Sequence, residues 1–91
     1  MVDIRNWLLL TEEQVYTGVL EPGVRISGFV HQHPSYNDGD WIITSKVVSI
    51  NGRSLITQSG SHYYLSGRPS KDWESFLLAN NFPIFLGEII L

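Results

Sequence analysis

A mainly β (α+β) fold is predicted by three features of the sequence. The run "WIITSKVVSI", residues 41–50, is strongly β-forming, and the Asn51-Gly52 that follows signals a tight hairpin because both residues accept positive φ. Further β-forming runs are separated by Gly, Pro, Asn and Ser in turn-like groups. A helical spacing of apolar residues occurs in "SKDWESFLLANN", residues 70–81. This order fits a small, strongly bent antiparallel sheet, or an SH3-like or OB-like barrel, with one α-helix near residues 70–81 before a final strand.

Each element follows from local chemistry. Residues 4–10, "IRNWLLL", read as a strand or a short buried segment. Thr11-Glu12-Glu13-Gln14 has capping-box spacing, yet "VYTGVL" behind it is β-branched and holds Gly18, so residues 14–20 read as a strand with one helical turn as the alternative. Glu21-Pro22-Gly23-Val24 places proline and glycine where a type II turn requires them. In "VRISGFVHQ", residues 24–32, Val24, Ile26 and Val30 share one face.

A turn at Asn51-Gly52 pairs Ile50 with Arg53, Val48 with Leu55 and Val47 with Ile56. A second turn at Ser59-Gly60 pairs Ile56 with Tyr63 and Leu55 with Tyr64. Apolar rows then occupy both faces, which calls for a meander wrapped around a core or a face given to a partner. Ser70 is the expected N-cap, Asp72 and Glu74 suit the first helical turn, and Trp73, Phe76 and Leu77 form the buried stripe. Asn80-Asn81 before Phe82-Pro83 ends the helix, and "IFLGEIIL" is the expected closing strand.

The 91 residues carry no repeat or linker and suit a single domain, residues 1–91. Without cysteine there is no disulfide or thiolate site, and a cytoplasmic location is expected. No apolar run reaches the roughly 18–20 residues of a membrane span, and "MVDIRNWLLLTEEQ" does not read as a signal peptide. The net charge of −3 hides an asymmetry: residues 41–71 hold Lys46, Arg53, Arg68 and Lys71 and no acid, while the rest carries all nine acids and only Arg5 and Arg25.

"HQHPSYNDGDW", residues 31–41, raises the question of chemistry. On a strand His31 and His33 point the same way, a usable spacing for imidazole ligands, with Asp38 and His62 within conceivable reach. The stretch resembles the H-x-H-x(3–4)-E element of cupins, with Asp38 in place of the glutamate and no second cupin motif downstream. The competing reading is an exposed turn-rich connection over 33–40, in which case no metal or other cofactor is expected. Catalysis is not expected either. The serines and threonines lack a nucleophile-elbow context, no glycine loop cradles phosphate, and Glu12-Glu13 and Asp38/Asp40 sit on surface-like segments.

Residues 28–66 carry a further pattern: Gly28, Val30, His33-Pro34, Asp38-Gly39, Ile42 or Ile43, Thr44-Ser45 and Val47, then Thr57, Ser59-Gly60-Ser61, Tyr63 or Tyr64, and Leu65. It resembles a group of short, uncharacterised bacterial and phage proteins that share this hairpin core. The resemblance implies a prokaryotic or phage source and carries over no catalytic or binding residue.

The function these features favour is a small non-enzymatic protein-binding module. It would be a phage- or mobile-element-encoded inhibitor, or an immunity-type protein, occluding the surface of a bacterial partner. Tyr36, Asp38, Asp40 and Trp41 are the expected contacts, since aromatics suit interface cores and acids speed encounter with a basic partner, although a core position for Trp41 is the expectation from its type. The alternative is a single-stranded nucleic-acid-binding β-barrel. There Lys46, Arg53 and Arg68 meet phosphates and Tyr64 stacks a base beside a Lys46–Thr57–His62 row. Homo-oligomerisation through "GEIIL" is compatible with both.

Overall fold

The computed structural model describes residues 1–81; the expected closing strand and the "GEIIL" pairing segment lie outside the described residues. The elements are β1 (Val2–Leu10), β2 (Arg25–His31), β3 (Trp41–Ile43), β4 (Val47–Asn51), β5 (Ser54–Thr57), β6 (His62–Ser66) and α1 (Lys71–Ala79). The six strands form one sheet in the order β3-β2-β1-β6-β5-β4. The mainly β expectation with a single short helix therefore holds among the described residues, and the sheet is bent but not closed into a barrel. Its one parallel pair among these strands, β1 with β6, departs from the all-antiparallel expectation. No helix of the described residues is long and apolar enough to cross a membrane.

β1 runs through the middle of the sheet and organises the core. Asn6 and Trp7 together face the single residue Gly28 of β2, a bulge with Asn6 at φ 51. The extra residue turns both Ile4 and Trp7 inward. Alternation along β2 then buries Ile26 and Val30 on the same side, as the sequence pattern requires, and Val24 joins them just before the strand. The inner face of β5 and β6 adds Leu55, Tyr63 and Leu65. Trp73 and Leu77 of α1 close over this core, with Trp73 packed against Trp7 at 5.7 Å between ring centroids. Ser70 occupies the N-cap position without a side-chain cap bond; its N–H instead donates to the Trp7 carbonyl at 2.8 Å.

Three local expectations are corrected. Residues 14–20 form no strand: Gln14 sits at φ 62, Tyr16 makes an isolated bridge to Leu10, and the Thr17 carbonyl accepts from Trp73 Nε1 at 3.2 Å. The run 41–50 is not one strand but two, β3 and β4, which end up at opposite edges of the sheet. The break comes at Thr44, whose buried hydroxyl accepts from the Ile26 N–H at 3.0 Å and donates to the Ser45 carbonyl at 2.7 Å, so a side-chain bond replaces one of the two backbone bonds of that pair.

The third correction concerns register. Asn51 pairs with Ser54, so the first turn is Gly52-Arg53, with Gly52 alone in the left-handed region. Arg53 is drawn across to β6, its Nη1 donating to the Leu65 carbonyl at 2.8 Å. The second loop is Gln58-Ser59-Gly60, closed by the Thr57 N–H on the Ser61 carbonyl. Ile50, Leu55, Tyr63 and Val2 thus align on one row facing the core, and Ile56 pairs with His62 on the outer side. Val48 becomes the bulged residue of β4 and stands 51% exposed.

Candidate functional site

β3 carries the candidate site. Trp41 pairs with Phe29 of β2, which pairs with Arg5 of β1, on the outer face of the sheet. Ile43 continues that face through Ser27 to Leu8. Leu8, Leu10, Gln14, Tyr16, Trp41 and Ile43 line one shallow depression there. The expected core role of Trp41 is overturned. It lies on an edge strand facing outward, 53% exposed, beside a Phe29 that is 41% exposed.

The other side of β3 opens onto a groove. Its lining includes Ile42, Ile43, Thr44 and Ser45 on one wall, Ser59, Ser61 and Tyr63 on the other, and His33 with Tyr36 at one end, around a volume of about 320 Å³. The groove thus runs between β3 with its Thr44-Ser45 continuation and the β5–β6 loop. The serines bond one another: Ser45 Oγ donates to Ser59 Oγ at 3.2 Å, and Ser59 Oγ donates to Ser61 Oγ at 3.4 Å. His33 Nδ1 accepts from the Ser35 N–H at 2.9 Å, which places the ring proton on Nε2, 3.4 Å from Tyr63 Oη. Both imidazole nitrogens therefore have a partner within the chain. Burial pushes the Tyr63 phenol above its ordinary pKa; a Ser61 hydrogen bond opposes this and the Tyr36 charge adds to it.

The expected contact residues divide between these two surfaces. Trp41 belongs to the outer face, whereas Tyr36, 49% exposed, packs edge-on against His33 at 4.6 Å and lines the groove. Asp38 and Asp40 build the loop between them. Asp38 Oδ1 accepts from the Gln32 N–H at 2.8 Å, and Asp40 Oδ2 from the Asn37 N–H at 3.1 Å, while both side chains stay at the surface. Phe29, Ile43, Leu8 and Tyr16, which surround Trp41 on the outer side, were not among the expected contacts. The alternation Ser27-Gly28-Phe29 on β2 does put Phe29 opposite the buried set, a signal the sequence contains.

The other candidate sets fare differently. His31 lies across from Asp3 on the outer face, but Gln32 at φ 66 turns the chain, so His33 does not share the side of His31. Among the described residues no three His, Asp or Glu side chains gather where an ion could sit. Three of the four basic residues of the middle segment have internal partners. Lys46 pairs with Glu12 at 3.1 Å, Arg68 with Glu74 at 2.9 Å, and Arg53 holds backbone carbonyls of Leu65 and Gly67. Tyr64 is on the outer face opposite Ser54, and Thr57 pairs with Val47 while His62 pairs with Ile56, so the Lys46–Thr57–His62 row does not form. Comparison with family models, with curated proteins and with solved structures returned no match to this chain.

Proposed function

We propose that this chain is a small non-enzymatic protein-binding module that acts by occluding a partner's surface, in the manner of a phage- or mobile-element-encoded inhibitor or an immunity-type protein. The observation that carries this reading is the in-register pair Phe29–Trp41, two large aromatics standing side by side on an open sheet face. Exposed aromatics held on a rigid strand lose little entropy on binding and are the side chains that dominate interface energetics. Leu8, Ile43 and Tyr16 extend the surface around them, and Asp38 and Asp40 supply a charged rim. The alternative reading, nucleic-acid binding, has less support because its three cations, Lys46, Arg53 and Arg68, already have partners within the chain.

The test is quantitative capture from a bacterial lysate with the wild-type chain, Trp41→Ala and Val48→Ala. Val48 is as exposed as Trp41 but lies on the opposite edge. The expected outcome is a stoichiometric partner retained by Val48→Ala and bound about 30-fold more weakly by Trp41→Ala, the size of a hot-spot loss. Equal capture by all three proteins overturns the assignment of the site.

A further inference from the structure

We propose that the partner engages as an extended, basic peptide segment that adds to the outer edge of β3, beside the six strands of the described residues. The inference rests on the protein-binding reading above and names the partner's chemistry. In β3 the even-numbered positions face β2: the Val30 N–H donates to the Asp40 carbonyl at 2.9 Å, the Thr44 N–H donates to the Ile26 carbonyl at 2.8 Å, and Ile42 is in register with Gly28 between them. Alternation of an antiparallel ladder then directs the N–H and C=O of Trp41 and Ile43 away from the sheet. β3 is the last strand in the sheet order, so among the described residues nothing receives those four groups. Native edges are commonly blunted by Pro, Lys or a bulge. Trp41-Ile42-Ile43 has none of these.

Both sides of the edge are prepared for an alternating strand. Side chains on one side of an added strand meet Trp41 and Ile43, which are apolar; those on the other enter the groove of Ser45, Ser59 and Ser61, which suits small hydroxyl-bearing residues. Charge chooses the ends. Asp38 and Asp40 precede β3, and Glu12 and Glu13 lie on the turn that reaches the residues after it, where Glu12 meets Lys46. Of these four carboxylates Glu12 is offset by Lys46, and Arg25, whose Nη1 is held by the Thr44 carbonyl at 3.2 Å, offsets a second, which leaves two in excess. The balance favours a segment with cations flanking a short β-forming centre.

The probe is the synthetic peptide Lys-Val-Thr-Val-Thr-Val-Lys, added to the full chain while amide hydrogen exchange and the Trp41 indole signal are followed. Strand addition slows exchange at Trp41 and Ile43 by about tenfold or more, because both N–H groups gain acceptors. N-methylation of one alternate set of peptide amides abolishes that protection, and methylation of the other set leaves it. The same peptide with Glu in place of Lys gives no protection. A shifted Trp41 indole with both amides at their free rates overturns strand addition while the outer-face reading stands. No response at either probe also overturns it, and the face is then judged by lysate capture alone. Equal protection by the Glu peptide overturns the basic partner. Protection that rises with protein concentration in the absence of peptide assigns the edge to a second copy and overturns the proposal as well.

Discussion

The two edges of the sheet are halves of one apolar run, and they have been treated oppositely. β4, from "VVSIN", is blunted. Val48 is bulged out of the ladder, and the outward groups of Val47 are occupied, its N–H donating to the Val24 carbonyl at 2.7 Å and its carbonyl accepting from the Gly23 N–H at 2.9 Å. β3, from "WII", keeps straight pairing with β2, exposes Trp41 and, among the described residues, leaves its outward backbone groups open. A bulge costs ladder bonds, yet it keeps an edge from pairing with strangers. Among the described residues one edge is protected and the other left open, and the proposed contact through β3 rests on that difference.

The contrast depends on β3 being held firmly against β2, and Gly28 is where that hold breaks most easily. It pairs with Ile42 and sits under the β1 bulge. A Cβ there would stand 2.8 Å from the Arg5 carbonyl oxygen, 2.9 Å from Ile4 Cγ1 and 3.1 Å from Trp7 Cα. Two of these neighbours are backbone and cannot swing aside. Gly28→Ala is expected to cost about 3 kcal/mol, at the upper end of ordinary overpacking, and denaturant unfolding measures it directly. A loss under about 1 kcal/mol would mean that the bulge relaxes and that β3 is less firmly seated than the packing indicates.

Next in size is the residue that divides the run. Thr44→Val keeps the shape of the side chain but removes the hydroxyl, leaving the buried Ile26 N–H without its acceptor and the Ser45 carbonyl without its donor. The expected cost is about 2 kcal/mol, mostly the desolvation of an unpaired buried amide. Faster amide exchange at Ile26 would identify the lost bond as the cause. A neutral Thr44→Val would place the origin of the break elsewhere in the 44–46 link.

How much of this was legible follows the range of the interaction that decides each element. The Glu21–Val24 turn, the inward face of β2 and the helix from Lys71 rest on local chemistry, and each is where its residues indicated. The first hairpin's turn moved by one residue and its strand pairing by two, because Arg53 reaches the carbonyl of Leu65, 12 positions away, which sets the turn at Gly52-Arg53. The split at Thr44 depends on Ile26, 18 positions back, and the loss of the 14–20 strand on Trp73, 56 positions ahead of Thr17. The candidate site was half legible for the same reason. Trp41 and the acids stand out by type, but their separation from Tyr36 across two sides of β3 depends on His33 packing near Tyr63 of a distant strand.

That packing gives the smallest expected effect and the finest test of the groove beside the open edge. Tyr63 forms part of the groove wall facing β3, and its burial favours the neutral phenol. The folded-state pKa therefore lies above the unfolded value of about 10, so the unfolded chain gives up this proton first as pH rises. Stability from Tyr63 is fully present below that unfolded value and declines as pH climbs through the raised folded one. The melting temperature should hold from neutrality to about pH 9 and fall above pH 10, with Tyr63→Phe showing a shallower alkaline decline because it has no phenol to ionise. Tyr64→Phe is the matched control, since Tyr64 lies on the outer face with its ring partly in water. If the two variants show the same alkaline slope, the phenol of Tyr63 is already reached by solvent, and the groove beside β3 is wider and wetter than its lining indicates.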